Sequence, residues 1–334
     1  MHPLLHKCRP ELRPPNQQKN RQSKLLHWAA GTAARSFLLK SFMVACTLAS
    51  APALANFKID IDGLISGQII TPANAVPGQQ LSLMTYGDPV IAAFGRDIGI
   101  EQQAEDHWLI TAPDQTGIFP LHLSAVDGTT KTIRLLVGEP FTGQTSQAGY
   151  KLGRYPNPKA APKKGLYPYP SSLVELHQHN LDEPVSSHFR LGQFMCKQGA
   201  DWPRYVVLRR PLVVMLENIV TLLNRKGVQA STLAVLSGYR TPTYNAGLDN
   251  VAYSRHIYGD AADVYVDADG DGYMDDLNGD GLVSLKDAQL LGRLIATLPD
   301  AKLSGIGIYP ATSSHGPFVH VDTRGYKARW GSWN

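Results

Sequence analysis

Residues Ser254 to Asp263 read Ser-Arg-His-Ile-Tyr-Gly-Asp-Ala-Ala-Asp, and far downstream stands His320-Val321-Asp322. Two imidazoles and a carboxylate, from His256, Asp263 and His320, make the three-ligand set that a zinc site uses when one position stays open for water. A chain built around such a set is constrained at once, because the three residues have to meet. His256 and Asp263 stand seven residues apart. That is not the i, i+4 spacing that puts two ligands on one helix face, so a loop must join them.

Local chemistry suggests how. Gly259, Ala261 and Ala262 let the backbone turn closely, and Val264-Tyr265-Val266 then reads as a strand starting beside Asp263. Phe318 to Asp322 alternates like a strand, so His320 and Asp322 face one way and Val319 and Val321 the other. One face is expected to carry chemistry and the other to enter the core.

A second motif, Ser237-Gly238-Tyr239-Arg240-Thr241-Pro242, follows an apolar strand, Thr232 to Leu236. It sets Arg240 at the mouth of a turn, where a guanidinium can fork onto a carbonyl, carboxylate or oxyanion. Taken together and in this order, the three motifs make the region from about Ser171 to Asn334 resemble the zinc D-alanyl-D-alanine carboxypeptidases and their murein endopeptidase relatives. This is the fifteenth metallopeptidase family, with the Hedgehog/DD-peptidase fold. The resemblance implies that His256, Asp263 and His320 bind Zn2+, that Arg240 orients or polarises the substrate carbonyl, and that Ser254 helps bind the peptide. It also implies that the substrates are peptidoglycan stem peptides, with endopeptidase preferred to D-alanyl-D-alanine carboxypeptidase action.

Zinc with an open position lowers the pKa of its water toward about 7 and polarises the scissile carbonyl. Where relatives carry Glu or Asp three residues before the second histidine, this chain has Pro317. His315 and Asp322 are the candidates for proton transfer. An imidazole titrates near neutrality, whereas Asp322 has the alternative of orienting a ligand or Arg324. The missing acid keeps a rival reading in view, a catalytically inactive, calcium-dependent cell-wall binding protein.

Between the ligand segments, residues 267–287 are rich in oxygen donors. Asp276 to Asp287 matches an EF-hand-like loop, with side-chain oxygens from Asp276, Asn278, Asp280, Ser284 and Asp287, a carbonyl from Leu282, and Gly281 at position 6. Asp267, Asp269, Asp271 and Asp275 form a second acidic stretch just before it. So many carboxylates repel one another, and a hard cation taking six to eight oxygens relieves the repulsion, so structural Ca2+ is expected. His177-Gln178-His179 also invites a metal reading, but alternation with Val174 and Leu176 favours an exposed strand face.

The formal charge of +4 belongs to the leader. Subtracting the eight basic and one acidic side chains of residues 1–55 from totals of 32 and 28 leaves 24 and 27, a net of −3. No nucleic-acid footprint survives. Arg35 and Lys40 precede an apolar run, Ser41 to Leu54, that ends Ala53-Leu54-Ala55, an A-x-A cleavage signal. Residues 1–55 therefore read as a leader with a signal peptide. The run is shorter than the ~20 residues a span needs and contains Pro52, so no membrane span is expected after processing. The protein is expected to be exported, to the periplasm or cell envelope of a bacterium. Cys8 and Cys46 leave with the leader, and Cys196 alone forms no intrachain disulfide.

Short β-type runs at Gln80 to Tyr86, His107 to Thr111, Gly117 to Ala125 and Thr130 to Val137 predict an all-β, immunoglobulin-like sandwich over residues 56–140. His107 and His122 sit singly among its apolar residues and read as structural. Pro156, Pro158, Pro162, Pro168 and Pro170, with Lys159, Lys163 and Lys164, predict an extended linker over 141–170. Residues 171–334 read as a mixed α+β domain. One helix places Leu212, Leu216, Ile219 and Leu223 on one face and stops at Gly227. Another starts at a capping box of Ser284 and Asp287, and strands follow at Gly305 to Tyr309 and Phe318 to Val321.

Overall fold

The computed structural model describes residues 57–334, and the leader expected over 1–55 lies outside the described residues. In the first region the strands are β1 (Lys58–Ile61), β2 (Leu64–Ser66), β3 (Ile70–Ala75), β4 (Gln80–Tyr86), β5 (Val90–Phe94), β6 (Gly99–Ala104), β7 (His107–Thr111), β8 (Gly117–Ala125) and β9 (Thr130–Val137). They form a five-stranded sheet, β2-β1-β4-β7-β6, and a four-stranded sheet, β3-β9-β8-β5. Period-two alternation selects the inward side chains, so Leu81, Leu83 and Thr85 of β4 are buried while Ser82 and Met84 between them are half-buried. Ile59, Leu83 and Trp108 from one sheet meet Leu121, Ile133 and Leu135 from the other in a single core. His107 bonds Ser82 Oγ and His122 bonds Thr132 Oγ1, each at 3.0 Å, which are structural contacts.

Residues 141–170 do not run free as an extended linker. β10 (Glu139–Pro140) leads into this stretch, β11 (Ser146–Gln147) and β12 (Tyr150–Lys151) pair within it, and Tyr150, Leu152, Tyr155 and Tyr167 are buried. Proline forbids helix here but does not prevent packing, and aromatic rings that each bury 150–250 Å² decide the outcome. β13 (Ser172–Leu176) then pairs with β10 and with β14 (Arg204–Val206). The strand does not continue through His177. Its N–H donates to Asn180 Oδ1 at 2.8 Å, which starts a 3-10 turn over Gln178–Asn180. A local side-chain bond thus ends the alternation.

The following region ties back to the first, since Arg210 donates to the carbonyls of Ile61 and Leu64, and Asn74 Nδ2 donates to Leu208 O at 2.9 Å. α1 (Arg210–Arg225) buries Leu212, Leu216, Ile219 and Leu223 and gives way to Gly227, which holds φ +88°. Next come β15 (Ala234–Ser237), α2 (Pro242–Gly247), β16 (Ala261–Tyr265), α3 (Leu285–Ile295), β17 (Gly305–Tyr309), β18 (Phe318–Asp322) and β19 (Ala328–Gly331). The Ser284–Asp287 capping box opens α3. The five strands order β15-β16-β18-β17-β19, antiparallel except that β17 and β19 run parallel. Ala262, Val264, Ile306, Ile308, Val319 and Val321 join α1 and α3 in the core. Several sheets with few helices make this a β-rich chain. The other face of the last sheet is left for polar residues.

Candidate metal centre

Strand pairing sets Ser237 opposite Asp263, Asp263 opposite His320, His320 opposite Gly307, and Gly307 opposite Trp330. One row across the polar face therefore reads Ser237, Asp263, His320, Gly307, Trp330. Facing residues on paired strands bring their Cβ atoms to about 4.5–5.5 Å, so Asp263 and His320 meet by register alone. A Cβ on Gly307 would collide with the Trp330 indole, whose centroid lies 5.2 Å from that of His320. In the next row Asp322 faces Ala261 and Gly305, and the missing side chain of Gly305 leaves room for Asp322 and Arg324.

His256 arrives from outside the sheet, on a 3-10 turn over Arg255–Tyr258 that runs into β16. Gly259 ends this turn at φ +68°, and a Cβ there would run into the Val207 carbonyl. Only glycine meets both conditions. The turn is braced from beneath by a buried ion pair between Arg255 and Asp260, and Arg255 Nη1 also donates to Leu166 O at 2.6 Å. Arg240 N donates to His256 O at 3.2 Å, which joins the second motif to the first.

The three donor atoms already stand as a triangle. His256 Nε2 lies 3.2 Å from His320 Nδ1 and 3.3 Å from Asp263 Oδ1, and His320 Nδ1 lies 2.8 Å from the same Oδ1. A tetrahedral divalent metal with ligand bonds of about 2.0–2.1 Å needs ligand–ligand edges of about 3.3 Å, so the donor set fits one. Each ring nitrogen facing away is held in place. His256 Nδ1 donates to Gly238 O at 2.7 Å and His320 Nε2 to Asp322 Oδ2 at 2.9 Å. Such partners select the tautomer and ring orientation of a metal-ligating histidine. Asp263 Oδ2 accepts from Arg240 Nη2 at 2.6 Å, and Arg240 Nε donates to Ser237 Oγ at 2.8 Å. Only Oδ1 of Asp263 is then turned to the histidines.

Burial and charge act in opposite directions here. Burial holds His256 below the usual imidazole range despite Asp263. Burial would also depress His320, but hydrogen bonds to Asp263 and Asp322 overcome it and raise that imidazole to about 9. Asp263 is pulled well below the ordinary carboxylate range, with the two imidazoles outweighing its burial. Asp322 is lowered against burial by Arg324 and His320.

These contacts correct the expectation that Asp322 transfers a proton. It is fully buried, and its oxygens accept from His320 Nε2, Arg324 N and Nε, and Gly305 N. A carboxylate so enclosed fits the alternative of orienting His320 and Arg324, and it is not part of the cavity lining in front of the triad. His315 does line the cavity of about 950 Å³ in front of the triad, along with Arg240 and Ser254. Its ring packs edge-on against Phe318 with centroids 5.0 Å apart, and its Nδ1 donates to Gly316 O at 2.8 Å. It is the one imidazole of the described cavity lining outside the triad.

In the acidic insert, Asp267, Asp269 and Asp275 approach closely enough to share a cation. Each of the four carboxylates also accepts a backbone N–H, Asp267 from Gly272, Asp269 from Asp271, Asp271 from Tyr273 and Asp275 from Ala268. In the second stretch Asp276 accepts from Gly279 N, Asp280 N and Gly281 N, Asn278 from Asp280 N, and Asp280 from Leu282 N. Asp287 accepts from the amides of Leu277, Asn278 and Ser284, which fixes both its oxygens toward the loop. Leu282 itself is exposed.

Lys197 also lines the cavity, a residue that sequence reasoning missed. Its ammonium is lowered by burial first and then by Arg240, with Asp263 opposing. A lone lysine carries no spacing signal, and its neighbours here come from distant parts of the chain.

No protein-family model matches the chain, and no curated protein matches it.

Proposed function

We propose that the protein is an exported zinc metallopeptidase that hydrolyses peptide bonds in peptidoglycan stem peptides, as a member of the zinc D-alanyl-D-alanine carboxypeptidase and murein endopeptidase family. The carrying observation is the triangle of His256 Nε2, His320 Nδ1 and Asp263 Oδ1, with separations of 2.8–3.3 Å and both outer ring nitrogens held. Under this reading residues 171–334 form the Hedgehog/DD-peptidase-like domain, and the two sheets before them form an immunoglobulin-like sandwich that helps position the enzyme on the wall.

Zinc held by the triad would supply Lewis acidity toward a carbonyl and acidify water beside it. Asp322 and Gly238 O keep the two imidazoles aimed. Arg240, anchored on Ser237 and Asp263, makes no hydrogen bond through Nη1 among the described residues, and that N–H is the donor offered to a substrate carbonyl or its developing oxyanion. The Ser254 hydroxyl is likewise without a hydrogen-bond partner among the described residues and lines the cavity, which suits a peptide contact. His315 is the candidate to accept and return a proton. A second cavity of about 710 Å³ shares Tyr244 and Leu248 with the first, which gives the chain beyond a scissile bond room to continue and favours endopeptidase over carboxypeptidase action. Calcium is proposed to stiffen the insert, at Asp267, Asp269 and Asp275 and through the loop of Asp276, Asn278, Asp280, Leu282, Ser284 and Asp287.

One observation favours the rival, a calcium-dependent wall-binding protein without catalysis. Asp263 is the single carboxylate residue in the described cavity lining, so no acidic general base stands there. Purified sacculi incubated with wild type and with His256→Ala, with and without chelator, separate the two readings. The peptidase reading expects muropeptides released by wild type alone and abolished by chelator, whereas identical profiles leave only binding.

A further inference from the structure

Tyr309 lines the cavity in front of the triad and belongs to none of the motifs that mark the site in the sequence. It ends β17 on the polar face, two residues beyond Gly307, which stands opposite His320. Its ring is fixed by stacking on the buried Phe318, with centroids 4.8 Å apart and planes 13° apart, and Phe318 in turn packs against His315.

The phenol oxygen is fixed as well, because it accepts from Trp330 Nε1 at 2.7 Å. That indole is itself held on three sides. It fills the space that Gly307 leaves, packs against His320 with centroids 5.2 Å apart, and lies beneath the Arg324 guanidinium at 4.7 Å, which Asp322 secures. Trp330 Nε1 stands where a side chain on Gly307 would begin, so the phenol oxygen bound to it is drawn toward the row of His320.

An indole N–H can only donate. It therefore fills an acceptor position on the phenol oxygen and turns the Tyr309 O–H away from itself. Among the described residues that O–H meets no acceptor, and Tyr309 is only half-buried. A hydroxyl held by its acceptor side, with one proton left to give, is a directed donor. Arg240 offers its free N–H from the opposite side, anchored on Ser237 of β15 and Asp263 of β16. Tyr309 rises from β17, so His320 on β18 stands between the two donors.

We propose that Tyr309 is a catalytic residue, donating its O–H to the tetrahedral centre that forms when water adds to the scissile carbonyl. This inference rests on the peptidase reading for its reaction. No bond to Tyr309 forms and the proton stays on the phenol, so its part is a hydrogen bond alone. That bond strengthens as the carbonyl oxygen gains charge, which lowers the barrier without tightening the hold on substrate. Trp330 is a positioning residue that acts through the phenol oxygen.

The test uses zinc-loaded full-length exported protein and three ligands of one cross-linked stem-peptide sequence. One carries the cleavable amide, one a ketomethylene with a planar carbonyl, and one a phosphinate with a tetrahedral, anionic centre. Tyr309→Phe keeps the ring and its stack and removes only the hydroxyl. Its kcat is expected to fall about 10²- to 10³-fold, with KM, zinc stoichiometry and melting temperature unchanged. Calorimetry should show the phosphinate bound about 10- to 100-fold more weakly than by wild type, the worth of a hydrogen bond to a charged group, and the ketomethylene bound equally. The ratio of phosphinate to ketomethylene affinity should also fall in Trp330→Phe, and fall no further than in Tyr309→Phe when the two are combined. Undiminished phosphinate binding in Tyr309→Phe, or an equal loss for both ligands, overturns the donor, while cleavage by wild type then leaves the peptidase reading standing. Absence of cleavage by wild type while the phosphinate loss stands overturns the peptidase reading and upholds the donor. Failure of wild type to bind the phosphinate overturns both.

Discussion

The proton that the proposed zinc would have to displace gives the sharpest expectation. Without metal, His320 sits between Asp263 and Asp322, which lift it to about 9 against burial, while His256 is depressed and Asp263 stays ionised. At neutral pH the triad therefore binds one proton, on His320. Metal needs the neutral imidazole, so affinity is lost as pH falls below about 9. The His320 proton alone weakens apparent affinity about tenfold per pH unit, so from pH 9 to pH 7 it costs about 100-fold, or about 2.7 kcal/mol. Calorimetric zinc titrations in buffers of different ionisation enthalpy should count the His320 proton together with the proton lost from zinc-bound water, between one and two near pH 7 and falling to about one, from the water alone, well above pH 9. Asp322→Asn removes the anion behind His320, so the onset of proton competition should move to lower pH. Above that onset, zinc should bind about 10- to 100-fold more weakly than in wild type. Release of well under one proton at pH 7 would refute the charge assignment of the triad.

Three further outcomes follow from the same contacts. Gly259→Ala combines a left-handed φ with a collision against Val207 O, so chemical denaturation should show a loss of about 2–4 kcal/mol and zinc binding should weaken with it. Arg255→Met strands the buried Asp260 without its partner, and the same measurement should show a loss of about 3–5 kcal/mol. His315→Gln keeps the triad intact, so zinc stoichiometry should stay at wild-type level while kcat on a cleavable stem peptide falls about 10²- to 10⁴-fold.

Much of the scaffold was legible because it rests on short-range pattern. Alternation in Phe318 to Asp322 separates Val319 and Val321 from His320 and Asp322, and the two valines are buried in the core. The 0, 4, 7, 11 spacing of Leu212 to Leu223 and the Ser284–Asp287 box correspond to α1 and to the start of α3. What local pattern could not carry was register and long-range contact. Nothing in the spelling of Gly307 tells that it makes room for Trp330, nor that Gly238 offers its carbonyl to His256. Lys197 is invisible for the same reason, since Cys196 beside it accepts from Thr241 N, far along the chain. The prolines of 141–170 misled because they report backbone stiffness, while the tyrosines among them decide burial. His177 misled because Asn180 takes the backbone of His177 into a turn.

The proposed metallopeptidase requires one metal held by three side chains. Zinc-equilibrated wild type, His256→Ala and His320→Ala, dialysed against a weak chelator and assayed by elemental mass spectrometry in excess calcium, address that directly. One tightly held zinc per chain in wild type and none in either variant is the predicted result, and wild-type retention of zinc in both variants would contradict it.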